Sequence, residues 1–288
     1  MPSIKEYDTK LKSLKNTSKM TKTMKMVSAS KLRKAQDLQR RASEYARLTY
    51  AFMARLAASL DSTDHPLFEQ RQEIRRILLL VFTSDKGLCG GFNNNLIRMT
   101  ERWIEEHGGE YEQVDMSFCG RRGYAHFRNR QNVRAYYEEA TRNPTFEQAT
   151  HINEEVCAAF LAHEYDAVYL VCNEFRSALS QRPTLNKILP VESTAFLEGG
   201  EPIPQDYIFE PSRQELLEEL VPKVIGFQIY YALLENAAGE HGARMTAMDN
   251  ATNNAAGLID RYTLLRNRAR QAAITTELIE IVAGAEAL

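Results

Sequence analysis

Between Pro2 and Pro66 the chain carries no proline, and its first glycine is Gly87. Proline costs about 3 kcal/mol and glycine about 1 kcal/mol at a helix-interior position, so a stretch free of both predicts one long helix. Ser3 is placed to cap its start. Apolar residues then recur at three- and four-residue steps, first as Ile4, Tyr7, Leu11 and Leu14, later as Leu32, Ala35, Leu38, Ala42, Tyr45, Phe52 and Leu56. That period marks a seam against another helix. A helix of about 55 residues measures about 80 Å, longer than a globular core holds.

A second such stretch closes the chain. Ser212 with Glu215 forms a capping box, and the helical period continues through Leu216, Leu220, Leu234, Met245, Met248, Thr252, Ala255, Ile259, Tyr262, Ile274, Leu278, Ile281 and Ala285. Pro222, Gly226, Gly239 and Gly242 predict a bend, with a straighter helix from Arg244 onward. Between the two helices the pattern alternates. Strand signals at Ile77 to Thr83, Asp115 to Cys119, Val133 to Tyr137, Ala167 to Cys172 and Leu185 to Val191 are interleaved with helical stretches at Asn94 to Glu106 and Phe146 to His163. The fold class is therefore α/β, with the terminal helices paired as a long antiparallel coiled coil. The expected divisions are 1–65, 66–211 and 212–288.

Composition narrows the function classes. The chain has 288 residues, 44% hydrophobic and 26% charged, as a folded soluble protein does. Its net charge of -2 gives no global excess for a polyanion, yet residues 1–60 hold 14 Lys/Arg against 4 Asp/Glu. The first helix is thus suited to an acidic partner, or simply carries a solvated basic face. Its seam degrades between Lys15 and Lys31 to Thr, Ser, Lys and the adaptable thioethers of Met20, Met24 and Met26. The apolar runs, such as Ile77 to Phe82, are far shorter than the roughly 18 residues that cross a bilayer. Cys89, Cys119, Cys157 and Cys172 form no CxxC pair, which fits a reduced, intracellular chain, and the histidines show no metal-ligand spacing.

The segment Thr83 to Asn93 follows a strand and precedes a helix, where phosphate-cradling loops occur. It lacks both the Walker ending and the dinucleotide glycine spacing, so Gly87, Gly90 and Gly91 serve a tight turn more naturally than a nucleotide. A nucleotide-binding enzyme and a basic coiled-coil nucleic-acid binder stand as alternative readings of the residues alone. Both leave the small, apolar end from Ala272 to Leu288 unexplained, since such an end on a helix tip requires a covering.

Three motifs carry a resemblance. Thr21-Lys22-Thr23-Met24-Lys25-Met26-Val27-Ser28-Ala29-Ser30-Lys31, the loop Ser84 to Asn93, and the run His241 to Leu288 resemble the gamma-subunit family of F-type ATP synthases, collinearly over the chain. Gly242, Thr276 and Ala283 depart from the residues usual there. The resemblance implies terminal helices entering an alpha3beta3 ring and a central Rossmann-like α/β domain bound to the epsilon subunit and the c-ring of the membrane sector. It implies no reaction of the chain's own and no cofactor, with catalysis on beta. It also implies no transit peptide, no nucleic acid, no direct membrane insertion, and a place on the cytoplasmic face of a bacterial membrane. By the same resemblance Met24 and Lys25 face an acidic lever of beta, Arg270, Gln271 and Thr275 lie near a beta loop, and Ala285, Ala287 and Leu288 sit in an apolar bearing.

Overall fold

The computed structural model describes residues 3–58, 65–191 and 212–286. Helix α1 spans Ile4–Ala58, and Ser3 meets it as expected, its Oγ accepting from the Glu6 amide at 3.3 Å. There follow β1 (Arg76–Phe82), α2 (Phe92–His107), β2 (Gln113–Cys119), α3 (Arg121–Phe127), β3 (Asn132–Tyr137), α4 (Phe146–Leu161), β4 (Ala167–Phe175), β5 (Gln181–Leu189) and α5 (Arg213–Glu286). The last expected strand begins four residues earlier than its apolar run, at Gln181 rather than Leu185. The chain divides into two compact units, Met1–Ser28 with Arg244–Leu288, and Ala29–Ala243.

Within Ala29–Ala243 the five strands form one sheet in the order β3-β2-β1-β4-β5. The first four are parallel, and β5 returns antiparallel to β4. Alternation along β1 sorts its side chains between two cores. Leu78, Leu80 and Phe82 meet Ile152, Val156 and Phe160 of α4 and Val221, Val224, Ile225, Ile229 and Leu233 of α5. Ile77, Leu79 and Val81 meet Leu96 and Ile97 of α2 and Phe127 of α3. Every residue from Ile77 to Phe82 is fully buried. At roughly 1.5–3 kcal/mol for each large apolar side chain, β1 is the strand on which both layers depend.

Helix α5 remains helical through Pro222, Gly226, Gly239 and Gly242. A proline inside a helix lacks the N–H that would bond the carbonyl four residues back, here that of Glu218. The His65 imidazole hydrogen-bonds that backbone group, while its Nδ1 accepts from the Leu67 amide at 3.1 Å. Asn153 Nδ2 donates to the Pro222 carbonyl at 2.9 Å. The glycines mark close approaches: a Cβ at Gly239 would stand 2.8 Å from the Phe92 ring, and one at Gly242 would stand 3.0 Å from the Ala178 Cα. Gly239 and Gly242 thus let α5 lie against other elements.

Candidate functional site

In the unit formed by Met1–Ser28 and Arg244–Leu288, α1 and α5 pair antiparallel. Tyr7 packs on Tyr262 with ring centroids 6.3 Å apart, Asp8 accepts from Arg266 at 3.3 Å, and Lys25 Nζ lies 2.6 Å from Asp249 Oδ1. Seventeen residues from Asp8 to Lys25 match seventeen from Arg266 to Asp249, so the register is constant along this pair. Four residues before Lys25, Thr21 Oγ1 and Thr252 Oγ1 are 2.7 Å apart. Each hydroxyl also reaches a carbonyl of its own helix, Thr252 that of Met248 at 2.7 Å and Thr21 that of Ser18 at 3.1 Å, so either can donate to the other.

The seam that looked degraded in sequence is repeated in small residues. Along α1, Thr21, Ser28, Ala35 and Ala42 are buried at a spacing of seven. The large apolar side chains point the other way: Met20, Met26 and Val27 are more than half exposed. Met24 and Lys25 are half-buried between these faces. A narrow seam of hydroxyls and methyls brings the helices close, leaving thioethers and lysine stems to form the outer surface.

Arg270, Gln271 and Thr275 are exposed on α5, and the Thr275 hydroxyl donates to the Gln271 carbonyl at 2.9 Å. Along the same stretch and beyond it Ile274, Leu278, Ile279, Ile281 and Val282 are 49–68% exposed. The register explains this, because Arg266 already stands opposite Asp8 and α1 begins at Ile4. Ala285 is exposed, whereas Ala287 and Leu288 lie outside the described residues.

In Ala29–Ala243 the loop after β1 is held from within. Asn93 Oδ1 accepts from the Ser84 amide at 2.9 Å, Asn93 Nδ2 donates to Ser84 Oγ at 2.8 Å, and Ser84 Oγ donates to the Lys86 carbonyl at 2.7 Å. Two further asparagines brace the neighbouring backbone, Asn236 of α5 at the Thr83 carbonyl (3.1 Å) and Asn173 of β4 at the Phe92 carbonyl (3.3 Å). Gly90 supplies a left-handed turn with φ 59°, and the Arg122 guanidinium lies where a Cβ at Gly87 would be, 2.6 Å away. The turn accounts for Gly90, while Gly87 and Gly91 lie against the flexible side chains of Arg122 and Asn95. Cys89 is buried in this loop as a free thiol.

A family model described as ATP synthase matches residues 3–288. The ATP synthase gamma chain of Geobacter metallireducens is 47% identical over 290 residues, covering 100% of this chain and 99% of that one. The chain belongs to the ATP synthase gamma-chain family. The gamma chain of Trichlorobacter lovleyi is 44% identical over 288 residues, again covering 100% and 99%. Among solved structures, a chain of the Euglena gracilis mitochondrial ATP synthase (OSCP/F1/c-ring, rotational state 3) superposes with TM-score 0.70 at 22% identity, covering 99% of this chain and 94% of that one. One from the Tetrahymena thermophila enzyme (central stalk/c-ring) gives 0.59 at 23%, covering 81% and 99%. At these identities the likeness establishes a shared fold.

Sequence reasoning missed Asp249 and Thr252 as partners of Lys25 and Thr21, because pairing across 224 and 231 residues leaves no local signal. Only the shared helical period of the two ends pointed to it. Among the described residues there is no group of three or more His, Cys, Asp or Glu that could hold a metal ion, and no helix is long and apolar enough to cross a membrane.

Proposed function

We propose that this gamma chain is the central rotor shaft of an F1Fo ATP synthase and couples ion-driven rotation to ATP synthesis or hydrolysis at beta subunits. The observation that carries the proposal is the inverted pair of helices, with small residues inside and Met20, Met26 and Val27 outside. A shaft turning within a ring needs a stiff, close-packed interior and a surface that slides over several different contacts. Thioether and lysine side chains provide such a surface. The exposed apolar stretch of α5 fits a part sheathed by other chains.

In this reading the terminal helices, 1–65 and 212–288, enter an alpha3beta3 ring. The α/β part, 66–211, meets epsilon and the c-ring on the cytoplasmic face of the membrane. Met24 and Lys25 pass an acidic lever of beta, Arg270, Gln271 and Thr275 pass a second beta loop, and Ala285, Ala287 and Leu288 turn in an apolar bearing. The gamma chain catalyses nothing itself. It biases the beta sites through contacts that differ with its angle, and reversing a site from 1:99 to 99:1 takes about 5.5 kcal/mol of differential interaction.

Reconstitution with alpha and beta subunits from the same source tests this. The isolated chain should hydrolyse no ATP, and adding it to alpha and beta should yield a complex with cooperative ATPase activity. ATP hydrolysis by the purified chain alone that disappears with Asp85→Ala or Lys86→Ala would overturn the non-catalytic reading.

A further inference from the structure

Within Ala29–Ala243, a cavity of about 530 Å³ opens between α1, β4, β5 and α5. Its size is that of small-molecule sites, which run roughly 300–1,000 Å³. Leu170, Ile188, Phe227 and Ala232 give it apolar walls, and Gln228, Tyr231 and Glu235 of α5 and Asn186 of β5 are among its polar groups. None of these residues is among those named above as contacts of beta or of the apolar bearing.

Glu235 sets the chemistry. Its Oε1 accepts from Gln39 Nε2 of α1 at 3.3 Å, and the same amide nitrogen reaches the Tyr231 hydroxyl at 3.3 Å. The Phe175 amide also donates to the carboxyl, favouring its charged form. Against this, burial first and then the like charge of Glu174 on β4 push its pKa up to about 7. Glu174 has its own counter-charge, Arg176, at 3.3 Å. Lys187 of β5 also lines the cavity and is itself partnered. The carboxylate therefore sits at an apolar cavity beside a charge of its own sign, the setting in which a cation gains most.

We propose that this cavity binds small organic cations with an apolar body, the ammonium meeting the Glu235 carboxylate and the body lying against Leu170, Ile188 and Phe227. The Tyr231 ring adds a π face for the cation. A neutral ligand of the same shape fills the walls but leaves the carboxylate without a counter-charge. An anion meets the Glu235 carboxylate with no gain from it. Binding a cation holds Glu235 ionised, so affinity rises with pH through the neutral range while the amine itself stays charged.

Isothermal titration of the full chain with phenylbutylamine, and with phenylbutanol as the neutral isostere, decides the matter. The amine should bind saturably, about tenfold tighter than the alcohol at pH 8, and about tenfold weaker at pH 6 than at pH 8. Glu235→Gln should reduce the amine to the affinity of the alcohol and leave the alcohol unchanged. Ser43→Phe, at an exposed position of α1 on the cavity rim, should weaken both. Equal binding of amine and alcohol to the unaltered chain overturns the proposal without recourse to any variant. So does a lack of saturable binding up to about 10 mM, or an amine affinity that survives both substitutions.

Discussion

Lys25 Nζ and Asp249 Oδ1 lie 2.6 Å apart across the helix pair, so the lysine proposed above to pass an acidic lever of beta already has an acidic neighbour. Both side chains are more than 40% exposed, at 42% and 44%, which limits the pair to about 0.2–1 kcal/mol in water. A weak internal partner prevents Lys25 from forming a deep well with any single external carboxylate. Asp249→Asn removes that competition. It should slow ATP-driven turnover of the assembled complex by about 1.4- to 5-fold, the rate equivalent of 0.2–1 kcal/mol. Lys25→Ala should leave turnover within a few-fold. Steady-state ATPase assays of the two complexes separate the outcomes, and faster turnover with Asp249→Asn would remove Lys25 from the sliding surface.

Asp166 is the most heavily engaged carboxylate of the α/β unit. It accepts from Arg71 Nη1 at 2.8 Å and from the Arg75 and Arg76 amides at 3.0 and 2.8 Å. Burial alone would raise its pKa, but the amides of Arg76 and Arg75 and the Arg71 guanidinium together hold it below the usual carboxylate range. The group is therefore more easily ionised folded than unfolded. Its stabilisation is complete above the ordinary carboxylate pKa and fades as pH falls through the lowered value. Asp166→Ala leaves Arg71 buried without its partner and should cost about 3–5 kcal/mol in urea unfolding at pH 7. The difference from the parent chain should shrink in acid; a constant difference down to pH 2 would contradict the assigned ionisation.

His65 behaves as a neutral bridge between the turn at Pro66–Phe68 and the gap that Pro222 leaves in α5. Nδ1 accepts from Leu67, so the proton belongs on Nε2, toward the Glu218 carbonyl. Burial lowers its pKa, outweighing the opposing pull of Glu218. With the folded value depressed, stability from this group is full above about 6.5 and is lost as pH falls below it. His65→Gln should flatten the decline in melting temperature between about pH 6.5 and 5. An NMR titration giving His65 a pKa above that of a free histidine would refute the bridge.

Much of this fold was legible because its punctuation is sparse. The absence of Pro and Gly before Pro66 predicted α1 closely, and the β-branched runs located all five strands. Helix α3 was not legible, since Gly120 and Gly123 flank and interrupt only seven residues, Arg121–Phe127. Gly120 adopts φ 105° and lies where a Cβ would be 2.1 Å from the Thr83 carbonyl, a contact between residues far apart in sequence. The direction of the methionines was illegible for a different reason. Hydrophobicity assigns thioethers to a seam, whereas close helix approach selected Thr21 and Ser28 instead, with a cross-helix hydrogen bond satisfying the threonine. The helix-breaking residues Pro222, Gly226, Gly239 and Gly242 stay within α5, where they lie beside His65, Asn153, Phe92 and Ala178.

Gly120→Ala tests the tightest of these approaches. The substitution meets both a left-handed backbone and a neighbouring carbonyl that has no side-chain freedom to yield. It should destabilise the chain by more than about 3 kcal/mol. At Gly239, by contrast, the obstacle is the edge of the Phe92 ring, and Ala should cost about 1–3 kcal/mol. Urea unfolding that ranks Gly239→Ala as the more damaging change would show that the ring is less yielding than the backbone at Thr83.

The exposed end of α5 separates fold stability from assembly. Leu278 and Ile281 are 57% and 68% exposed, so replacing both with serine removes little burial from the isolated chain. Each exposed substitution is worth within about 0.5 kcal/mol, which should move the melting temperature by no more than a few degrees. If these residues enter an apolar sleeve, each instead loses roughly 1.5–3 kcal/mol of contact with its partners. The doubly substituted chain should therefore melt almost as the parent does, yet be retained less by alpha and beta subunits during gel filtration at low concentration. Undiminished retention beside an unchanged melting temperature would place the sleeve elsewhere on the helix, and a large loss of melting temperature would mean that these side chains are buried within the gamma chain itself.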